Sequence, residues 1–122
     1  MKPEPLARLT LNDQAAIAEY MARIHASFPD RLTAVTLFGS KARGDDDAES
    51  DIDLLVLVDA EDKDLRDELW RIASDVSLKY NVVISARVFA QSRWARAKYA
   101  LLPLYRAITT EGVLLMPESV PV

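Results

Sequence analysis

Two spacings of apolar residues alternate along the chain. Ile17, Met21, Ile24 and Phe28 recur at helical spacing with Tyr20 beside them, and Asn12 or Asp13 offers a cap at the start. Pro29 ends that helix. Leu32 to Phe38 is apolar or β-branched on both faces, the pattern of a buried strand, and Gly39 follows at once. Lys41 to Glu49 is polar, with Gly44 and three consecutive aspartates, which predicts a loop with a short helical turn after Ser40. Asp51 to Asp59 reads as a second strand. Residues 61–79 predict an amphipathic helix with Leu65, Leu69, Ile72, Ala73 and Val76 on its apolar face. Asn81 suits a turn, and Val82 to Phe89 a third strand. Gln91 to Leu102 predicts a helix with Trp94, Ala97 and Leu101 on one side. Pro103 interrupts it and starts another helical stretch to about Thr110. Gly112 is a stop signal, and Val113 to Leu115 suits a short edge strand.

This order predicts an α/β (α+β) fold, a mixed β-sheet flanked by helices, with residues 1–122 as one domain and 1–11 and 117–122 as irregular ends. Half of the chain is apolar, enough to build a core. There is no cysteine, which excludes disulfides and Cys-based metal sites. No apolar run approaches the ~20 residues that cross a bilayer, and the start of the chain lacks a signal-peptide layout. A soluble, cytoplasmic protein with no membrane partner is expected. The net charge of −4 disfavours direct nucleic-acid binding, which requires neutralised phosphates. A nucleotide carried by a divalent metal remains compatible, because the metal brings the positive charge.

The candidate chemistry lies in Gly39-Ser40-Lys41-Ala42-Arg43-Gly44, six residues, then Asp51-Ile52-Asp53. Residues two apart on a strand share a face. Asp51 and Asp53 would stand about 6.6 Å apart at Cα, close enough to converge on one cation. Ile52, Leu54, Val56 and Val58 would point the other way, into an apolar layer. Neighbouring carboxylates repel each other, and a hard divalent ion, Mg²⁺ or Mn²⁺, offsets that cost. Gly39 would let the backbone approach a ligand, the Ser40 hydroxyl adds a donor, and Lys41 and Arg43 add charge. Donors for phosphate thus end one strand and acceptors for metal begin the next, which suits a nucleoside triphosphate with its metal.

Gly-Ser-x-Ala-Arg-Gly followed by Ser-Asp-Ile-Asp-Leu resembles the motif of the nucleotidyltransferase superfamily related to DNA polymerase β. Within it the chain resembles the minimal nucleotidyltransferases (MNT), often encoded beside a HEPN-domain protein as the antitoxin of a toxin–antitoxin pair. The motif covers residues 39–54, and the element order extends a looser likeness over roughly residues 12–115. The resemblance implies that Gly39 and Ser40 contact the triphosphate, that Arg43 helps with phosphate charge, and that Asp51 and Asp53 are catalytic metal ligands. It implies transfer of a nucleoside monophosphate, AMP from ATP, to a hydroxyl on a partner, a HEPN-type toxin. The family's third carboxylate would fall within Val82 to Val88, which holds no Asp or Glu; Ser85 is the nearest polar residue. Asp59 or Asp75 would substitute only in a different register. That departure keeps a second reading open: a binding module that neutralises its partner by contact.

Plainer readings cover the remaining polar and aromatic residues. Asp45, Asp46, Asp47 and Glu49 suit a solvated loop. They do not fit an EF-hand, nor do Gly39 to Gly44 fit a Walker P-loop. Lys41 reads as a surface cation, His25 as a helix residue, and Trp70 and Trp94 as packing residues. Arg87, Arg93, Arg96 and Lys98, near Trp94, Tyr99 and Tyr105, suit a solvated face or a partner-docking surface.

Overall fold

A computed structural model of the chain describes residues 8–44, 50–96 and 102–116. In chain order the elements are α1 (Leu11–Ser27), β1 (Leu32–Phe38), α2 (Ser40–Arg43), β2 (Ile52–Val58), α3 (Lys63–Tyr80), β3 (Ile84–Ala90), α4 (Gln91–Arg96), α5 (Leu102–Glu111) and β4 (Val113–Met116). The four strands form one mixed sheet in the order β3-β2-β1-β4. β1 runs antiparallel to β2 and β4, and β2 runs parallel to β3.

Helices cover both faces of the sheet. On one face α1 and α3 bury Ile17, Tyr20, Ile24, Leu65, Leu69, Ile72 and Val76 against Val35, Leu37, Ile52, Leu54, Val56 and Val58. Each fully buried aliphatic side chain stabilises this layer by roughly 1.5–3 kcal/mol. All five predicted apolar positions of α3 are buried. On the other face Trp94 of α4 and Ile108 of α5 close over Phe38, Leu55 and Leu57. β2 is therefore apolar on both sides beyond its first residues, which is why its sequence runs as Leu-Leu-Val-Leu-Val.

The helix ends follow local chemistry. Thr10, not Asn12 or Asp13, caps α1, its hydroxyl accepting from the Asp13 amide at 2.9 Å. Asn12 is used elsewhere, its amide donating to the Tyr80 carbonyl at 2.8 Å. Asp62 caps α3 by accepting from the amides of Asp64 and Leu65, and Asn81 closes it with φ 55, a left-handed conformation that asparagine tolerates. The predicted helix over Gln91 to Leu102 reaches Arg96; Ala97 and Leu101 lie outside the described residues. β4 is an edge strand, one residue longer than expected. Among the described residues no helix is long and apolar enough to cross a membrane.

Candidate active site

Three strand ends meet at one end of the sheet. β1 finishes beside the start of β2, pairing Phe38 with Asp53. β3 starts beside the same point, pairing Ile84 with Ile52 and Ser85 with Asp53. Side chains of paired residues share a face, so Phe38, Asp53 and Ser85 form one row and Thr36, Leu55 and Arg87 the next. Asp51 immediately precedes β2 and is exposed, whereas Asp53 is half-buried.

Gly39 is held against Asp53. Its φ of 80 and ψ of −162 fall where only glycine is unstrained. A Cβ there would collide with Asp53 Oδ2 and lie 3.3 Å from its Cγ. Gly39→Ala is therefore expected to displace the Asp53 carboxylate and to cost about 1–3 kcal/mol of backbone strain. Urea unfolding checks this, and an unchanged midpoint would contradict it. Ser40 opens α2 directly after this glycine. The turn is closed by the Ala42 and Arg43 amides donating to the Gly39 carbonyl, each at 3.0 Å, and Gly44 ends it with φ 90.

Lys41 departs from the sequence reading. It is 2% exposed, and its Nζ donates to Asp13 Oδ2 at 2.8 Å. Asp13 is 5% exposed on the buried stripe of α1, in line with Ile17, Tyr20 and Ile24. This pair ties the Gly39–Ser40 turn to α1. A signal was present: Asp13 falls on the apolar stripe at helical spacing, and a charge there needs a partner. Arg43 is exposed and pairs with Glu111 at 3.2 Å. Asp59 pairs with Arg31 at the far end of β2, and Asp75 with Arg23 and Arg71 on α3, so neither reaches the Asp51–Asp53 site. His25 is exposed, and Trp94 packs between Phe89 and Tyr105. Trp70 is 45% exposed and donates to the Ala86 carbonyl on the edge of β3. Lys98, Tyr99, Asp45, Asp46, Asp47 and Glu49 lie outside the described residues.

Burial, then the neighbouring charge of Asp51, pushes the Asp53 carboxyl above its ordinary range, while Arg87 and Arg43 pull it back. A raised native pKa means that the folded chain takes up a proton more readily than the unfolded one. This group's contribution to stability therefore grows as pH falls from neutral through the raised pKa, and is complete below the ordinary aspartate range. At neutral pH the ionised group costs stability. Without metal, Asp53→Asn is expected to raise the melting temperature at pH 7, with a gap that narrows as pH falls. A gap independent of pH, or a less stable variant, would contradict this. Among the described residues no group of three or more Asp, Glu or His converges, and Asp51 and Asp53 are the two carboxylates that act on each other at this end of the sheet. An oxygen-only pair of this kind, strained by desolvation and like charge, fits a hard divalent cation.

The chain belongs to the nucleotidyltransferase domain family, whose model matches residues 17–108. Two proteins of Methanocaldococcus jannaschii are similar in sequence. One, named "Putative protein adenylyltransferase MJ0141", is 42% identical over 78 residues, 62% of this chain and 78% of that protein. Another, named "Putative protein adenylyltransferase MJ0604", is 37% identical over 78 residues, 64% of this chain and 74% of that protein. Among solved structures, a crystal structure of a toxin–antitoxin with AMP-PNP shares the fold, with a TM-score of 0.55 and 23% identity. That likeness covers 79% of this chain and 69% of the other.

Proposed function

We propose that this nucleotidyltransferase moves AMP from ATP to a hydroxyl on a partner protein, and that it acts in the cytoplasm as antitoxin to a HEPN-type toxin. The observation that carries the reading is the close approach of Gly39 to Asp53. It brings the turn that would hold a triphosphate against the carboxylates that would hold its metal. The names of the archaeal relatives support a protein acceptor. The toxin–antitoxin with AMP-PNP supports an adenine nucleotide and a toxin partner.

In this reading Gly39 and Ser40 receive the β- and γ-phosphates, and Arg43 adds charge beside them. Asp51 and Asp53 ligate Mg²⁺ or Mn²⁺, and a cation there supplies positive charge to the α-phosphate and the leaving pyrophosphate. The acceptor oxygen bonds to the α-phosphorus and the bond from that phosphorus to the bridging oxygen breaks. Pyrophosphate leaves, and the hydroxyl proton passes to solvent. On the acceptor side β3 presents Ser85 beside Asp53, and Val82 to Val88 holds no Asp or Glu, so that strand brings no carboxylate to act as base.

Intact-mass analysis of a partner recovered with the chain, after incubation with Mg²⁺ and ATP, tests the reading. A partner heavier by one AMP per modified hydroxyl is the expected result. A partner held stoichiometrically and neutralised, yet unmodified, would make the chain a binding module on this fold.

A further inference from the structure

We propose that Arg87 binds a carboxylate carried by the acceptor, so that the hydroxyl receiving the nucleotide lies in an acidic stretch of protein. This rests on nucleotidyl transfer at Asp51 and Asp53. Sheet order sets the side from which the acceptor comes. β1 with its Gly39–Ser40 turn flanks β2 on one side, and β3 flanks it on the other. In phosphoryl transfer the attacking and leaving oxygens lie roughly in line through phosphorus. A triphosphate seated at the end of β1 therefore sends its pyrophosphate toward β1 and receives its acceptor over β3.

The face of β3 on that side presents Ser85 beside Asp53 and Arg87 beside Leu55. Arg87 is exposed and makes no hydrogen bond or ion pair among the described residues. Arg23, Arg31, Arg43, Arg71 and Arg93 pair with carboxylates; among the described arginines without an ion pair, Arg66, Arg96 and Arg106 lie on helices and Arg87 on the strand beside Asp53. Arg87 is near enough to Asp53 for its charge to act there more strongly than that of Arg43. A guanidinium in this place, next to a hydroxyl rather than a carboxylate, inverts the charge that an acceptor meets. A planar fork of donors matches a carboxylate in two parallel bonds. The anion could also be a nucleic-acid phosphate. A chain of net charge −4 lacks the cations to follow a phosphate backbone, so an acidic protein segment is the better match.

Binding separates this proposal from the reaction. Fluorescent tyrosine peptides flanked by Asp and Glu are compared with the same peptides carrying Asn and Gln, in the presence of Mg²⁺ and a non-hydrolysable ATP analogue. The acidic peptides are expected to bind about tenfold to a hundredfold more tightly, the range of a charge-assisted hydrogen bond. Arg87→Gln should erase that preference and Arg87→Lys should keep part of it, with nucleotide affinity unchanged in both. Equal binding of the two peptide sets overturns the proposal. So does a loss in Arg87→Gln that falls on the nucleotide, or an RNA oligonucleotide that displaces the acidic peptide. If the peptides behave as expected but no label from ATP reaches any hydroxyl, the proposed reaction fails and not the assignment of Arg87.

Discussion

Changing Asp51 and Asp53 together to asparagine is expected to lower nucleotidyl transfer by about a thousandfold or more, while making the metal-free chain more stable. The two effects share one cause. Asp51 immediately precedes β2 and Asp53 lies within it, half-buried, its proton held more tightly than usual by burial and by the charge of Asp51. Repulsion and desolvation are costs to the fold that a metal would offset. A bound divalent ion stabilises the transition state of such a transfer by several kcal/mol, and each 1.36 kcal/mol is tenfold in rate. Asparagine retains the shape but not the charge, so the rate falls and the strain is relieved together. Rate assays paired with melting curves in chelator check this. Parallel losses in both would mean that the pair serves the fold.

Lys41→Ala is expected to produce the largest loss of stability, about 3–5 kcal/mol, because it leaves Asp13 as an unpaired charge in the core. Stabilities of about 5–15 kcal/mol are usual for domains, so this one change should bring the chain near its limit. The loss is specific to breaking the pair. Replacing both partners with apolar residues, Asp13→Leu with Lys41→Met, should recover most of it, since two buried charges are then removed together. Chemical denaturation of the two variants measures the difference. A double variant no more stable than Lys41→Ala alone would show that the pair is not the source. The same pair seats the Gly39–Ser40 turn on α1, so the recovered variant should fold yet transfer poorly if it holds that turn less firmly.

Much of the architecture was readable because periodicity maps directly onto burial. β1 occupies Leu32–Phe38 as expected, and the five apolar positions of α3 are those that pack. That Gly39 at the end of one strand lies against Asp53 at the start of the next follows from the same reading, which set a glycine turn and a carboxylate on neighbouring strand ends. What escaped the sequence depends on pairing across long separations. The parallel register that sets Ser85 beside Asp53 and Arg87 beside Leu55 joins residues more than thirty positions apart. The contact between Lys41 and Asp13 spans 28 positions, and a lysine flanked by serine, arginine and aspartates looks like surface. The start of α1 was misread for a local reason: three of the four residues from 10 to 13, Thr10, Asn12 and Asp13, suit turns and caps, and Thr10 serves because Asp13 is drawn into the core.

The most direct test supplies the chain with Mg²⁺, a co-purified partner, and ATP labelled in turn on the α- and the γ-phosphate. The account predicts that α-label passes to the partner, that γ-label leaves as pyrophosphate, and that neither occurs in the Asp51→Asn, Asp53→Asn variant. Label moving from the γ-phosphate, or α-label that persists in the variant, would contradict it.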